Sequence, residues 1–370
     1  MSAGKRERPV LAIVTDAWLP QVNGVVTTLE HTIRCIDAAG IQVEVIHPGE
    51  GFLTVPAPSY PSIRLAAFPW PGVYRALDRL VPDAIHIATE GPLGNAARRY
   101  CVTRKLRFTT SYHTQYPQYL RSRWPIPERV SYAFLRRFHG AAARTMVATA
   151  SMQAELEAQG FRNLVRWGRG VNADLFKPQP KGFLGLPRPI SIFVGRLAVE
   201  KNIEAFLTLD LPGTKVVVGD GPAAPELRSR YPQAVFAGLL KGSQLARYLA
   251  DADVFVFPSR TDTFGVVMLE AMACGIPVAA FPTPGPLDVV QHGKTGYLSQ
   301  DLGLAVREAL KLDERRCREY ALTQSWHAAA GQFASNLVAV LGDADLMARG
   351  GDARQMNAAP ARLEPAKEPI

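Results

Sequence analysis

The chain has no apolar run long enough to cross a bilayer. Pro, Asp, Glu or His interrupts every candidate before the roughly 18 residues that a span needs. Its four cysteines, Cys35, Cys101, Cys274 and Cys317, are far apart and form no Cys-x-x-Cys pair, so neither a zinc site nor a disulfide framework is indicated. No Gly-x-Gly-x-x-Gly follows the first strand-like run, so the dinucleotide fingerprint is missing. No His or carboxylate cluster has metal-ligand spacing. Asp251 and Asp253 come nearest, but they precede the apolar run 254–257 at its amino end and read as the cap or end of a helix. The first eight residues are basic, yet the apolar run 10–14 behind them is too short for a signal core, so a cytoplasmic protein is expected.

Acid is scarce in one place. Residues 1–172 hold 21 Lys/Arg against 12 Asp/Glu, whereas residues 173–370 hold 21 of each, so the net charge of +9 lies wholly in the first half. Residues 98–144 carry eleven basic residues and one acid, Glu128, interleaved with Tyr, Phe and Trp. Three readings are open for this stretch: a solvated face, a nucleic-acid surface or a membrane surface. No nucleic-acid motif accompanies it. Residues 129–138 can form a basic amphipathic helix, with Val130, Phe134 and Phe138 on one side and Arg129, Arg136 and Arg137 on the other. That pattern suits the interface of an anionic bilayer. Arg121, Arg123 and Trp124 belong to the same face.

What the chain does have is a repeated alternation of short apolar runs with helical patterns. Runs 10–14, 43–46, 84–87, 108–111 and 145–148 read as strands of one parallel sheet. Runs 190–194, 215–218, 235–237, 254–257 and 278–281 read as strands of a second. Pro and Gly crowd residues 48–72, which read as loop. With 370 residues, two Rossmann-like α/β domains are expected, joined near the Pro-rich segment 176–182. The expected divisions are residues 1–177, residues 178–325, a helical segment 326–342, and a disordered tail 343–370 rich in Ala, Pro, Gly and charge.

Open α/β sheets bind ligands beyond the carboxyl ends of their strands, and the chemistry-bearing residues fall there. Gly195, Arg196 and Lys201 follow the run 190–194. Asp262, Phe264 and Gly265 follow the run 254–257 and open a helix at Val266 that contains Glu270. Cations and a helix start suit a diphosphate, and carboxylates can accept hydrogen bonds from sugar hydroxyls. Each pair also has an ordinary reading, as exposed charges near a helix. Glu270 is set among Val266, Val267, Met268, Leu269 and Met272, and a buried charge needs a partner. His113 follows the run 108–111, where a structural role is equally open. Gly24, in Asn23-Gly24-Val25, permits close backbone approach. Gly219-Asp-Gly-Pro222 is a turn first.

In this order the motifs resemble the family-4 retaining glycosyltransferases of the GT-B fold. The resemblance runs from Thr15-Asp-Ala-Trp-Leu-Pro-Gln-Val-Asn-Gly-Val through Gly170-Val-Asn-Ala-Asp-Leu-Phe176 to Pro277. Lipid-glycosylating members are the most alike, such as sulfoquinovosyl and glycosyl diacylglycerol synthases and phosphatidylinositol mannosyltransferases. The resemblance implies two parallel sheets facing across a cleft, with the nucleotide on the second domain and the acceptor and membrane on the first. It implies that Arg196 and Lys201 bind the diphosphate and Glu270 the ribose. Gly24 would lie near the β-phosphate, His113 near the sugar, and Phe264–Gly265 would offer amides to the donor. Asp262 departs from the family's usual Glu. A segment from Ser325 would cross back to the first domain. The implied reaction moves a hexosyl group from a UDP- or GDP-sugar to a lipid such as diacylglycerol, with no cofactor, metal or nucleic acid, at the inner face of the membrane. A soluble saccharide acceptor in polysaccharide synthesis is one alternative; a non-enzymatic nucleic-acid binder is another, which would account for the basic half and leave the ordered donor motifs unexplained. Oligomeric state is left open.

Overall fold

The computed structural model describes residues 8–21, 23–49, 51–57, 60–115, 117–118 and 127–337. Arg121, Arg123, Trp124 and the expected tail lie outside the described residues.

Two six-stranded sheets organise the chain, and every pairing within them is parallel. The first contains β1 (Val10–Val14), β2 (Gln42–Ile46), β5 (Ala84–Ile87), β6 (Thr109–Tyr112), β7 (Arg144–Val147) and β8 (Leu164–Arg166), in the order β2-β1-β5-β6-β7-β8. The second contains β9 (Ile190–Val194), β10 (Thr214–Val218), β11 (Val235–Gly238), β12 (Val254–Phe257), β13 (Val278–Ala280) and β14 (Gly296–Leu298), in the order β11-β10-β9-β12-β13-β14. Both faces of each sheet are covered, which is why the central strands are continuous apolar runs. In β1, Leu11 and Ile13 enter one core layer and Ala12 and Val14 the other. In β9, Ile190 and Ile192 face one layer and Phe193 the opposite one. The strand order reverses between β1 and β5 and again between β9 and β12. A crevice opens at such a switch point.

Three expectations change. Residues 48–72 are not all loop: β3 (Thr54–Ala57) and β4 (Tyr60–Ala66) form an antiparallel ribbon outside the two sheets. Prolines disguise it, and an edge ribbon tolerates them. Asp251 and Asp253 do more than end a helix. Asp251 accepts from the amides of Gly182 (2.5 Å) and Leu184 (2.6 Å), and Asp253 accepts from Ile190 N (2.6 Å) and Arg188. They fasten the interdomain connection to the second sheet. The third change concerns the helix Glu128–His139, which forms as expected but faces differently. Phe138 is in the first domain's core at 2% exposure, while Val130 (55%) and Phe134 (49%) point outward. Arg129 and Arg137 are exposed with them. Arg136 donates to Gln159 O (2.9 Å).

The chain crosses between domains twice at one place. Val171 and Phe176 already pack with the second core. The helix Trp326–Asn336 packs back on the first, where Ala330 and Phe333 meet Leu11, Leu29 and Trp167. Gly170 has to be glycine there, because a Cβ would lie 2.2 Å from Trp326 N.

Candidate active site

The second domain supplies a cation, a carboxylate and a helix start at its switch point. After β9, Gly195 N bonds Val218 O (3.0 Å) and Leu197 N bonds Asp220 O (2.9 Å). Gly219 and Gly221 lie directly against this segment. A Cβ on Gly219 would stand 1.9 Å from Gly195 O, so the Gly219–Gly221 turn serves to prop the Gly195–Leu197 backbone. The chain then makes a single 3-10 turn, Val199–Lys201, pinned to the end of β12 by Asn202 Nδ2 donating to Pro258 O (3.1 Å). This turn delivers Lys201 to the loop that follows β12. Lys201 Nζ donates to both oxygens of Asp262, at 2.6 and 2.9 Å, and both side chains are largely buried. Arg196 is half-buried on the same loop.

Past Asp262, Gly265 takes a left-handed conformation (φ 81°) and precedes the helix Val266–Ala273. A side chain there would strike the Phe257 ring and Met268. No side chain among the described residues caps this helix, so its first amides, at Val266 and Val267, are open to an anion, while Met268 N already bonds Gly265 O (2.9 Å). Glu270 lies one turn on. No side-chain or backbone donor among the described residues bonds its carboxylate, and burial alone pushes it up from 4.5 to about 7. A carboxylate held this way is ready for hydroxyl donors from a ligand.

On the first domain, Asn23 caps the helix Gly24–Ala38 by accepting from Val25 N and Val26 N, both at 3.0 Å. Nothing lies within 4 Å of a Cβ built on Gly24, and its φ is not positive, so packing does not demand glycine; open space in front of the helix remains. His113 follows β6. Its Nε2 lies 2.8 Å from Ser111 Oγ and its Nδ1 3.2 Å from Arg169 Nη2. Desolvation, with the Arg169 cation beside it, holds the imidazole well below its usual range, so it is neutral.

The two domains meet at these residues. Thr263, next to Asp262, donates from Oγ1 to His113 O (2.8 Å), and Thr149 Oγ1 approaches Thr263 O at 3.4 Å. Asp288 of the second domain caps the first domain's helix Ala150–Ala158, accepting from Ala150 N (3.0 Å), Ser151 N (3.1 Å) and Ser151 Oγ. The structure thus brings Lys201, Asp262 and, through Thr263, His113 to one cleft. It leaves Arg129, Arg136 and Arg137 on a separate helix of the first domain.

Sequence reasoning passed over several residues here. Asp16, after β1, is buried and pushed up to about 6, and it caps the helix Pro92–Thr103 through Leu93 N (2.9 Å). Glu90, after β5, pairs with buried His139 at 3.0 Å. Both obey the same strand-end rule that found Arg196. Thr263, Asp288 and Arg169 carry no local signal.

Among the described residues, no group of three His, Cys, Asp or Glu side chains is placed to hold a metal ion, and no helix is long and apolar enough to cross a membrane. A hollow of about 440 Å³ bounded by Arg188, Asp253, Pro277, Leu312 and Glu314 lies at the amino ends of the second sheet's strands, away from this chemistry.

Comparison with known proteins gives the family and the fold. Residues 22–175 match the family described as Glycosyltransferase Family 4, and residues 188–312 match that described as Glycosyl transferases group 1. A GDP-mannose-dependent alpha-mannosyltransferase of Mycobacterium tuberculosis is 34% identical over 317 residues, covering 78% of this chain and 83% of the relative. An alpha-monoglucosyldiacylglycerol synthase of Streptococcus pneumoniae is 25% identical, covering 81% of this chain and 78% of the relative. In fold, sucrose-phosphate synthase from Thermosynechococcus elongatus superposes with a TM-score of 0.71 at 20% identity, over 88% of this chain and 97% of that one. The chain belongs to the family-4 glycosyltransferases, enzymes of the GT-B fold that transfer sugar from a nucleotide-sugar donor.

Proposed function

We propose that this enzyme transfers a hexosyl group, with retention, from a nucleotide diphosphate sugar to the hydroxyl of a lipid such as diacylglycerol, at the cytoplasmic face of the membrane. The observation that carries the reading is the convergence, at the second sheet's switch point, of the Lys201–Asp262 pair, the uncapped start of the helix Val266–Ala273 and the donor-less Glu270 carboxylate. Glu270 accepts from the ribose hydroxyls. Arg196, Lys201 and the amides from Gly265 onward take the diphosphate. Asp262 is shared between Lys201 and the sugar. The donor's glycosidic bond to phosphate breaks as the acceptor oxygen bonds the anomeric carbon on the same face, and the acceptor proton passes to the departing phosphate. Fixed cations act most strongly where that phosphate gains charge. No protein nucleophile, metal or cofactor enters these steps.

The lipid acceptor rests on two supports. The helix Glu128–His139 presents Val130 and Phe134 to solvent beside Arg129 and Arg137, and each cation near an anionic surface adds roughly 1 kcal/mol. The diacylglycerol-glucosylating relative adds the second. For the donor, the mannosyltransferase relative favours GDP-mannose, with UDP-glucose the first to compare.

The test is product formation with labelled GDP-mannose and UDP-glucose, with and without anionic liposomes containing diacylglycerol. A labelled glycolipid is expected. Labelled free saccharide only, with none in lipid, would overturn the lipid acceptor and keep the donor reading. Phe134→Asp with Arg137→Glu should release the protein from the liposomes, and unchanged binding would remove this helix from the membrane surface.

A further inference from the structure

Arg169 is a buried cation beside the cleft. It is 6% exposed, and no carboxylate among the described residues pairs with it. Its Nη1 donates to Trp167 O (2.6 Å) and Gly168 O (2.9 Å), and its guanidinium lies 4.4 Å from the Trp167 ring centroid. Its Nη2 reaches His113 Nδ1 at 3.2 Å. Burying a cation without an anion is costly, and neither backbone carbonyls nor a ring face require that cation to end at an imidazole of the cleft.

Hydrogen-bond chemistry then fixes a direction. A guanidinium only donates, so His113 Nδ1 must accept. A neutral ring accepting at Nδ1 carries its proton on Nε2, which donates to Ser111 Oγ (2.8 Å). The Ser111 hydroxyl proton then goes to His86 Nε2 (3.1 Å) or to Ala88 O (3.4 Å). The donor-only guanidinium at the end of this row therefore sets the proton on His113. The charged and titratable groups that face His113 are Arg169, from the segment after β8, His86 on β5, and His139 from the helix Glu128–His139; all three disfavour a second proton on the ring. A protonated His113 would turn an N–H toward the guanidinium N–H and break the row.

We propose that Arg169 is a positioning residue of the transferase: it holds His113 as the Nε2-protonated neutral tautomer, with its ring fixed against Ser111, and so fixes the backbone carbonyl through which His113 meets Thr263 of the donor loop. The segment bearing Arg169 is itself clamped by the returning chain. Gly168 N bonds Gln332 Oε1 (2.8 Å) and Val171 N bonds Gln324 O (3.0 Å). The interdomain crossing therefore sets the position of an active-site ring. The catalytic meaning of this arrangement rests on the proposed function, but the tautomer does not.

The experiment is nitrogen NMR of the full chain labelled in histidine, with His113 assigned by its loss in His113→Gln, followed from pH 8 to pH 5 without substrate. In the wild type, His113 is expected to stay neutral with hydrogen on Nε2 throughout. Arg169→Met removes the donor at Nδ1 and one of the charges that oppose protonation, so His113 should lose its fixed Nε2–H tautomer and its titration should move upward, while burial still holds it below the ordinary histidine range. Arg169→Lys, which keeps a donor-only cation, should restore the Nε2–H tautomer and the larger part of kcat lost in Arg169→Met. A wild-type ring protonated on Nδ1, or a His113 titration the same in Arg169→Met as in the wild type, overturns the proposal. If Arg169→Met does not fold, the wild-type tautomer and the Arg169→Lys comparison decide. Absence of transfer to any acceptor would sink the proposed function, while the NMR result would still judge Arg169.

Discussion

Replacing Glu270 by Gln should make the protein more stable and a worse binder. Burial raises this carboxylate from 4.5 to about 7 with no compensating donor. One pKa unit corresponds to about 1.4 kcal/mol, so ionised Glu270 costs the folded state about 3 kcal/mol above pH 7. The sign follows from proton binding. Below the unfolded value of 4.5 both states are protonated and there is no cost. Between there and about 7 the folded state holds a proton that the unfolded state has lost, so the cost grows with pH and then levels. Gln carries no charge, although its amide is still a polar group in an apolar helix. The expected gain for Glu270→Gln is about 1–3 kcal/mol at pH 8, shrinking to nothing near pH 4. Donor binding should move the other way. Hydrogen bonds to a charged acceptor contribute about 1.5–3 kcal/mol, so nucleotide affinity should fall by about 10- to 150-fold. Thermal unfolding across pH and calorimetric titration with GDP and UDP measure both quantities. A variant that is less stable than wild type at pH 8, or that binds both nucleotides equally well, would refute the assignment of Glu270 as a ligand carboxylate kept at the expense of stability.

The remaining expectations concern charge and the domain contact. Arg196→Ala and Lys201→Ala should each lower kcat by about 10²- to 10³-fold, because each removes a cation from the departing phosphate; near-normal turnover in both would end their role. Asp288→Ala removes the cap that the second domain places on the helix Ala150–Ala158. A lost cap costs about 0.5–2 kcal/mol, so the amides of Ala150 and Ser151 should exchange roughly 2- to 30-fold faster. Unchanged exchange would mean that the domains do not hold this contact in solution.

The fold was legible where strands are buried on both faces. Residues 10–14 and 190–194 have no polar alternation to confuse the pattern, apart from Ser191. The edge strands Leu164–Arg166 and Gly296–Leu298 escaped because each is three residues long and carries only two large apolar residues, too few to make a run. The ribbon at 54–66 was hidden by Pro56 and its neighbouring prolines. Phe138 was placed on the wrong side of its helix for a different reason. Periodicity tells which residues share a face, but Val130 and Phe134 are as apolar as the residues that point inward, and only packing against the sheet decides which apolar stripe is covered. The proposed donor side is local in sequence: Arg196, Lys201 and Asp262 follow two strand ends that are neighbours at the switch point, and Glu270 lies in the helix that comes next. Arg169 meets His113 across 56 residues, Asp288 meets Ser151 across 137, and Thr263 meets His113 across 150. No local pattern encodes such pairs; they exist only once both sheets are placed.

Those three distant pairs have a common consequence. The contacts traced across the cleft, from Thr263 to His113 and from Asp288 to the helix Ala150–Ala158, are hydrogen bonds rather than apolar burial. Each is worth about 0.5–1.5 kcal/mol net, or more where a carboxylate accepts, so the domains can part and rejoin at a cost that donor binding can meet. The two chain crossings differ. There Gly170 abuts Trp326 with no room for a side chain, and Phe333 and Trp167 are packed in the core. Motion should therefore pivot at the crossings and open the cleft at Thr263. Arg169 lies next to the first crossing and His113 at the contact with Thr263, so the bond between them links the expected pivot to the cleft.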